Sequence, residues 1–134
     1  LWPAHCVQGS RGSEFAYGWD TTRVNHIVFK GTDPLIDSYS SFYDNAYEKE
    51  TGLESYLKER NVKELYIAGL ATDYCVKYSV LDAIELGFKV SVIVDVCKGV
   101  NLQPQDSNEA LSLMEKEGAR LTCFKEVSDM MLLD

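Results

Sequence analysis

The sequence has few cysteines, few prolines and no long apolar run. Its four cysteines, Cys6, Cys75, Cys97 and Cys123, form no CxxC pair, and a chain of 134 residues with 46% apolar content can bury a core without disulfides. We therefore expect reduced thiols and a cytoplasmic protein. No apolar stretch is long enough to cross a bilayer, so the sequence predicts no membrane span.

Positive charge is also scarce. The chain has 13 Lys and Arg residues against 21 Asp and Glu residues, which gives a formal net charge of −8. This charge repels phosphate backbones and anionic lipids, so we expect neither nucleic acid nor a membrane surface as a partner. The length predicts a single domain over residues 1–134. Because residue 1 is Leu rather than Met, we expect this domain to be incomplete at its N-terminus.

Strand and helix patterns alternate along the chain. Short β-branched and aromatic runs predict strands at 27–30, 64–68, 90–94 and 120–123. Apolar positions at helical spacing predict helices at 52–60, 76–87, 106–118 and 127–133, with Asp106 or Ser107 able to cap the third. This order is typical of a mostly parallel sheet covered by helices on both faces, a three-layer α/β/α fold.

Two chemically useful side chains follow neighbouring predicted strands. Lys30 ends the first strand, and Cys75 lies after the second, at the start of the next helix. In parallel sheets, ligands bind beyond the carboxyl ends of the strands, so both side chains should project toward one edge. The helix N-terminus and a lysine would each stabilise a thiolate, although a lone cysteine is more often a small core residue.

The N-terminal segment offers a histidine and an aromatic ring. His5 lies in a loop, and a single imidazole makes no metal site, so a surface role is the better reading of this residue alone. Trp2, Tyr39 and Phe42 either line a pocket for a flat substrate or anchor loops to the body of the protein. The residues by themselves leave both readings open.

Three motifs together resemble the nicotinamidase branch of the isochorismatase-like cysteine hydrolases. They are WPAHCVQGS at 2–10, FKG at 29–31 and GLATDYCV at 69–76. The resemblance implies an Asp–Lys–Cys triad that includes Lys30 and Cys75. It implies that His5 is one ligand of a divalent metal ion, zinc, iron or manganese, and that Trp2 and Tyr39 pack against a pyridine ring.

The same resemblance implies a cis peptide bond between Leu70 and Ala71. This bond would aim the Ala71 and Cys75 N–H groups at a developing oxyanion. The implied reaction is hydrolysis of nicotinamide, or a similar small aromatic amide, to nicotinic acid and ammonia in NAD salvage, through a thioester on Cys75. Two alternatives stay open: another small amide or ureido substrate, and an inactive truncated α/β module.

Some of the family's machinery is not found in these residues. The triad Asp and the remaining metal ligands belong, by the resemblance, to a segment before Trp2, together with two central strands. We therefore expect an upstream segment of the same protein, a companion chain or a second copy in a homo-oligomer to supply them. The fold class is accordingly expected to be isochorismatase-like, with the N-terminal strands absent from this chain.

Overall fold

The computed structural model describes residues 2–132, and regular structure is concentrated in the second part of this range. Four helices alternate with three strands: α1 (Leu53–Glu59), β1 (Glu64–Leu70), α2 (Lys77–Glu85), β2 (Lys89–Lys98), α3 (Asp106–Lys116), β3 (Arg120–Thr122) and α4 (Phe124–Met131). We call residues 53–132 the layered region and residues 2–52 the loop region. In the loop region, regular structure is limited to one 3-10 turn (Arg11–Ser13) and an isolated antiparallel bridge between Tyr43 and Glu50.

The three strands form a parallel sheet in the order β1-β2-β3. β1 pairs with β2 from Glu64 opposite Lys89 onward, with an irregularity between Ile67 and Gly69, and β2 pairs with β3 from Ser91 opposite Arg120. Parallel strands need crossover connections, which α2 and α3 provide. The predicted α/β class with a parallel sheet is confirmed.

Apolar side chains from the sheet and its helices form one core. Met114, Val80 and Val92 are its largest fully buried members. Of the ten buried residues in the core cluster, Phe42 comes from the loop region and the other nine come from the layered region. The helical periodicity of α2 and α3 thus places their apolar faces on the sheet, as predicted.

The strand predicted at 27–30 is wrong. Those residues form no strand, and Ile27 and Phe29 are 42% and 75% exposed. A strand exists through hydrogen bonds to a neighbouring strand, and within residues 2–132 this segment has no such partner. An apolar run can indicate a tendency to pair, but it cannot supply the partner.

Helix boundaries also differ from prediction in two places. Neither Asp106 nor Ser107 is the N-cap of α3; that position is Gln105, without a side-chain cap bond. The last helix begins at Phe124, three residues earlier than predicted, because the Asp95 carboxylate accepts a hydrogen bond from the Phe124 N–H at 2.8 Å. Residue 133, its predicted end, lies outside the described residues. Within residues 2–132, no helix combines the length and the apolar character that a membrane crossing requires.

Candidate active site

Cys75 lies in a π-helical turn (Thr72–Val76) that joins β1 to α2. The Ala71 carbonyl accepts hydrogen bonds from the Tyr74 and Val76 N–H groups at 3.1 and 3.0 Å, which closes the turn at the carboxyl end of the strand. π-Helical turns are rare and occur frequently at functional sites. The sequence predicts Cys75 in the first turn of the helix that follows β1; in the structure it lies just before α2, in the π-helical turn, and is half-buried.

Lys30 reaches this turn from the loop region, 45 residues away in sequence. Its Nζ is 3.3 Å from the Cys75 Sγ and donates a second hydrogen bond, of 2.7 Å, to the Ser38 carbonyl. An ammonium at this distance stabilises a thiolate by Coulomb attraction and by a hydrogen bond. The Ser38 carbonyl holds the lysine in place, a contact that sequence reasoning could not find because it joins two residues of a loop.

The peptide bond between Leu70 and Ala71 is cis, as the resemblance implied. It directly precedes the π-helical turn, so Ala71 and Cys75 belong to one continuous segment at the end of β1.

Aromatic side chains cluster beside the cysteine turn. The Trp2 indole N–H donates a 3.0 Å hydrogen bond to the Tyr39 hydroxyl, so the structure brings these two predicted residues together. The Tyr74 ring contacts both, edge-on to Trp2 at 4.9 Å and tilted against Tyr39 at 5.4 Å between centroids. The sequence analysis assigns no role to Tyr74. Its position directly before Cys75 is the one feature of the sequence that points to the site. The contacts of its ring with Trp2 and Tyr39 could not be predicted from the sequence.

Burial raises the pKa of the Tyr74 hydroxyl, and the nearby charge of Asp73 raises it further. The phenol is therefore neutral at physiological pH. It can donate a hydrogen bond and present a ring face, but it adds no charge to the aromatic cluster.

A cavity of about 280 Å³ opens beside the cysteine. Lys30 and Cys75 line it together with Phe42 and residues of β1, including Tyr66 and Leu70. Trp2 and Tyr39 are not among its lining residues, and the aromatic cluster meets the cysteine through Tyr74 instead. The structure therefore joins Lys30 to Cys75 directly and places the two predicted aromatic residues one side chain further away.

His5 lies on the surface of the loop region, near Trp2. Its Nδ1 is 2.7 Å from the Pro3 carbonyl, which can only accept, so Nδ1 carries a hydrogen and neutral imidazole leaves the Nε2 lone pair available to an ion. No group of three or more His, Cys, Asp or Glu side chains within residues 2–132 could hold a metal ion. His5 thus fits as one ligand, and a metal centre would need ligands from elsewhere.

The chain as a whole matches a known protein family. The model of the isochorismatase domain matches residues 1–126. A nicotinamidase from Escherichia coli (strain K12) is 48% identical over 121 residues, which are 90% of this chain and 57% of that protein. The chain therefore spans little more than half the length of this relative.

Solved structures agree with the sequence comparison. A nicotinamidase and pyrazinamidase of Acinetobacter baumanii superposes with a TM-score of 0.90 at 38% identity, covering 95% of this chain and 61% of that one. A pyrazinamidase of Pyrococcus horikoshii, solved in complex with zinc, superposes with a TM-score of 0.80 at 37% identity, covering 92% and 64% of the two chains. The predicted isochorismatase-like fold is confirmed by these superpositions.

Proposed function

This chain belongs to the isochorismatase domain family, and on that premise we propose that the protein is a nicotinamidase with Cys75 as its nucleophile. The observation that carries the proposal is the 3.3 Å contact between the Lys30 Nζ and the Cys75 Sγ, at the carboxyl edge of a parallel sheet. The motifs around both residues lie within the matched part of the nicotinamidase relative. A cysteine paired with a cation at a helix start has the environment of an activated thiolate.

The proposed reaction has two covalent steps. The Cys75 thiolate attacks the carboxamide carbon of nicotinamide, and the tetrahedral intermediate collapses as the C–N bond breaks and ammonia leaves. Water then attacks the thioester, the C–S bond breaks, and nicotinic acid and the thiolate are released. Lys30 stabilises the thiolate, while the Ala71 and Cys75 N–H groups form the oxyanion hole. A carboxylate from outside these residues transfers the protons.

The aromatic cluster supports a flat ring as the substrate. Trp2 and Tyr39 fix each other by a hydrogen bond, and Tyr74 joins them to the residue before the nucleophile. Rigid aromatic walls recognise a pyridine ring by stacking and by contact area. We therefore propose nicotinamide or a similar small aromatic amide as substrate, and a role in NAD salvage.

A divalent metal ion is part of the proposal, with His5 as one ligand. The zinc complex of the similar pyrazinamidase makes zinc the first candidate, and the free Nε2 of His5 suits it. Such an ion would orient and polarise the bound substrate. The remaining ligands, the triad carboxylate and the strands that would flank β1 are proposed to come from the rest of the protein or from a second copy. Four free cysteines support a reducing, cytoplasmic setting.

Ammonia release from nicotinamide by the intact protein tests the proposal. Cys75→Ala should abolish release with little change in thermal unfolding, because alanine has no nucleophile. Cys97→Ala is the matched control, because Cys97 is also a free, half-buried thiol, although burial raises its pKa. The activity of the Cys97→Ala variant should stay within twofold of wild type. Turnover retained in the Cys75→Ala protein, or absent from the wild type, would refute the proposed function.

A further inference from the structure

Asp73 is a buried carboxylate that the proposed reaction does not use. Its side chain is 3% exposed, two residues before Cys75 in the same π-helical turn. One oxygen accepts a hydrogen bond from the Val100 N–H at 2.9 Å, and the other accepts from the Asn101 N–H at 2.7 Å. A single side chain therefore fastens the cysteine turn to the loop that follows β2.

These hydrogen bonds decide the charge of the group. Burial opposes ionisation of Asp73, but the Val100 and Asn101 N–H groups outweigh it, and the pKa of the carboxyl lies below its ordinary value. The nearby charge of Lys77 acts in the same direction. Asp73 is thus an ionised group near the proposed nucleophile at every pH at which a thiolate would work.

The loop to which Asp73 is fastened is itself held in place. Asn101 adopts a left-handed φ of 54°, and its side-chain carbonyl accepts a 2.9 Å hydrogen bond from the Ser107 N–H at the start of α3. A Cβ on Gly99 would meet the Ser107 side chain, so the loop passes close to the start of α3. Because it is braced against a helix of the core, this loop is a fixed anchor.

We propose that Asp73 is a positioning residue that holds Cys75 within reach of Lys30 by fastening the π-helical turn to the loop after β2. Asp73 and Cys75 share one five-residue turn, so a movement of Asp73 is passed directly to the cysteine. The Lys30 Nζ is in turn held by the Ser38 carbonyl. The lysine and the cysteine are thus held by two separate attachments, and the 3.3 Å contact depends on both.

Two roles for Asp73 make opposite predictions about the thiolate. If the carboxylate acted through its charge alone, neutralising it would remove a neighbouring negative charge and increase the thiolate fraction of Cys75. If it holds the turn, the same substitution leaves a buried N–H without an acceptor, loosens the turn and reduces the thiolate fraction. A residue that serves stability alone would leave the thiolate of the folded protein unchanged. The sign of the effect therefore identifies the role.

The test compares Asp73→Asn with Asp82→Asn in the intact protein. Asp82 is a matched control, because it is also a buried aspartate and lies in α2, away from the cysteine turn. At pH 7, Asp73→Asn should slow alkylation of Cys75 by iodoacetamide at least tenfold, measured by mass spectrometry, and should lower the thiolate absorbance. Asp82→Asn should leave both within twofold. Faster or unchanged alkylation in Asp73→Asn would overturn the inference.

The kinetic readout rests on the proposed function, whereas the alkylation readout does not. With nicotinamide, Asp73→Asn should lower kcat at least tenfold, because the loosened turn moves Cys75 away from Lys30. KM should change less than kcat, because Trp2 and Tyr39 lie outside the turn, which carries Tyr74 alone of the three aromatic residues. If the wild type releases no ammonia, the proposed function fails while alkylation still decides the role of Asp73. Should Asp73→Asn not fold, Asp73→Glu, which shifts the carboxylate by one methylene, takes its place with the same thresholds. Failure of both to fold beside a folded Asp82→Asn would overturn the inference in favour of stability alone.

Discussion

The loop region and the layered region are built by different forces, and the candidate active site draws on both. The layered region has strands, helices and nine of the ten buried core residues. The loop region is held mainly by short polar contacts, such as the Ser41 N–H to the Ser79 hydroxyl at 2.8 Å and the Thr51 hydroxyl to the Ser41 carbonyl at 2.7 Å. The proposed nucleophile, Cys75, therefore comes from the layered region, and the cation beside it, Lys30, comes from the loop region.

This difference indicates how function is divided between them. The turn that carries Cys75 lies between β1 and α2, and the hydrogen bonds of Asp73 fasten it to the loop after β2, so its geometry follows from the layered region. Lys30, Trp2, Tyr39 and His5 lie in loops, which carry binding and catalytic residues on many scaffolds. Changes in the loop region should therefore alter chemistry, metal binding or docking of the loops, and changes in the layered core should alter stability.

The largest expected effect concerns the one loop-region side chain that enters the core. Phe42 is 2% exposed and stacks on Phe88 at 6.2 Å. Phe42→Ala should lower the free energy of unfolding by about 3–5 kcal/mol, because it removes a buried ring and leaves a cavity. Denaturant unfolding measures the change. Phe15→Ala is the control from the same region, since Phe15 is 48% exposed, and it should cost less than about 1 kcal/mol. Equal losses of unfolding free energy in both variants would show that Phe42 does not anchor the loop region to the core.

A smaller effect is expected for His5, the proposed metal ligand. His5→Ala in the intact protein should weaken metal affinity at least tenfold and raise KM, because one of few ligands is lost. Elemental analysis after dialysis gives the occupancy. His26→Ala is the matched control: this histidine stacks on Tyr56 at 3.8 Å and should leave metal content unchanged. Equal metal content in the His5→Ala and wild-type proteins would remove His5 from the site.

The smallest effect is expected at high pH, where the two regions meet through Tyr47 and Asp82. The Tyr47 hydroxyl donates a 2.9 Å hydrogen bond to the buried Asp82 carboxylate, and this bond, more than desolvation of the 62% exposed Tyr47, raises the pKa of Tyr47 to about 12. Because the folded-state pKa of Tyr47 lies above the unfolded value near 10, the hydrogen bond stabilises the folded protein fully below about pH 10. This stabilisation is lost as the pH rises through 12.

Thermal unfolding of Tyr47→Phe across this range tests the contact. The difference in Tm between wild type and Tyr47→Phe should shrink from pH 9 to pH 12. Tyr17, which is fully exposed, provides the control, and Tyr17→Phe should follow the wild type at each pH. A difference that stays constant with pH would show that the hydrogen bond to Asp82 does not control the ionisation of Tyr47.

Sequence patterns predicted the layered region well and the loop region poorly. Strand and helix periodicity is local, so β1, β2 and β3 and all four helices were predicted near their observed positions. The strand at 27–30 was wrong because pairing depends on a partner that periodicity does not contain. The early start of α4 was missed because its first N–H is accepted by Asp95, 29 residues away.

The candidate site was also predicted only in part, because sequence patterns do not contain contacts between distant residues. Lys30 and Cys75 were placed together by the family motifs and by a strand at 27–30 that the structure does not contain. The structure brings the two side chains into contact although Lys30 lies in a loop. The roles of Tyr74 and Asp73 were missed although both lie within two residues of the motif cysteine. Their roles depend on contacts with Trp2, Tyr39 and the loop after β2, which are distant in sequence.

Alkylation of Cys75 in a Lys30→Met variant tests most directly whether the two regions form one catalytic unit. Iodoacetamide reacts with the thiolate, so the rate at pH 7, followed by mass spectrometry, reports stabilisation of Cys75 by Lys30 without any substrate. Lys49→Met is the control, since Lys49 is a loop-region lysine whose Nζ contacts Thr32. We predict that Lys30→Met slows alkylation of Cys75 at least tenfold while Lys49→Met stays within twofold of wild type. An unchanged rate in Lys30→Met would contradict the pairing on which the account depends.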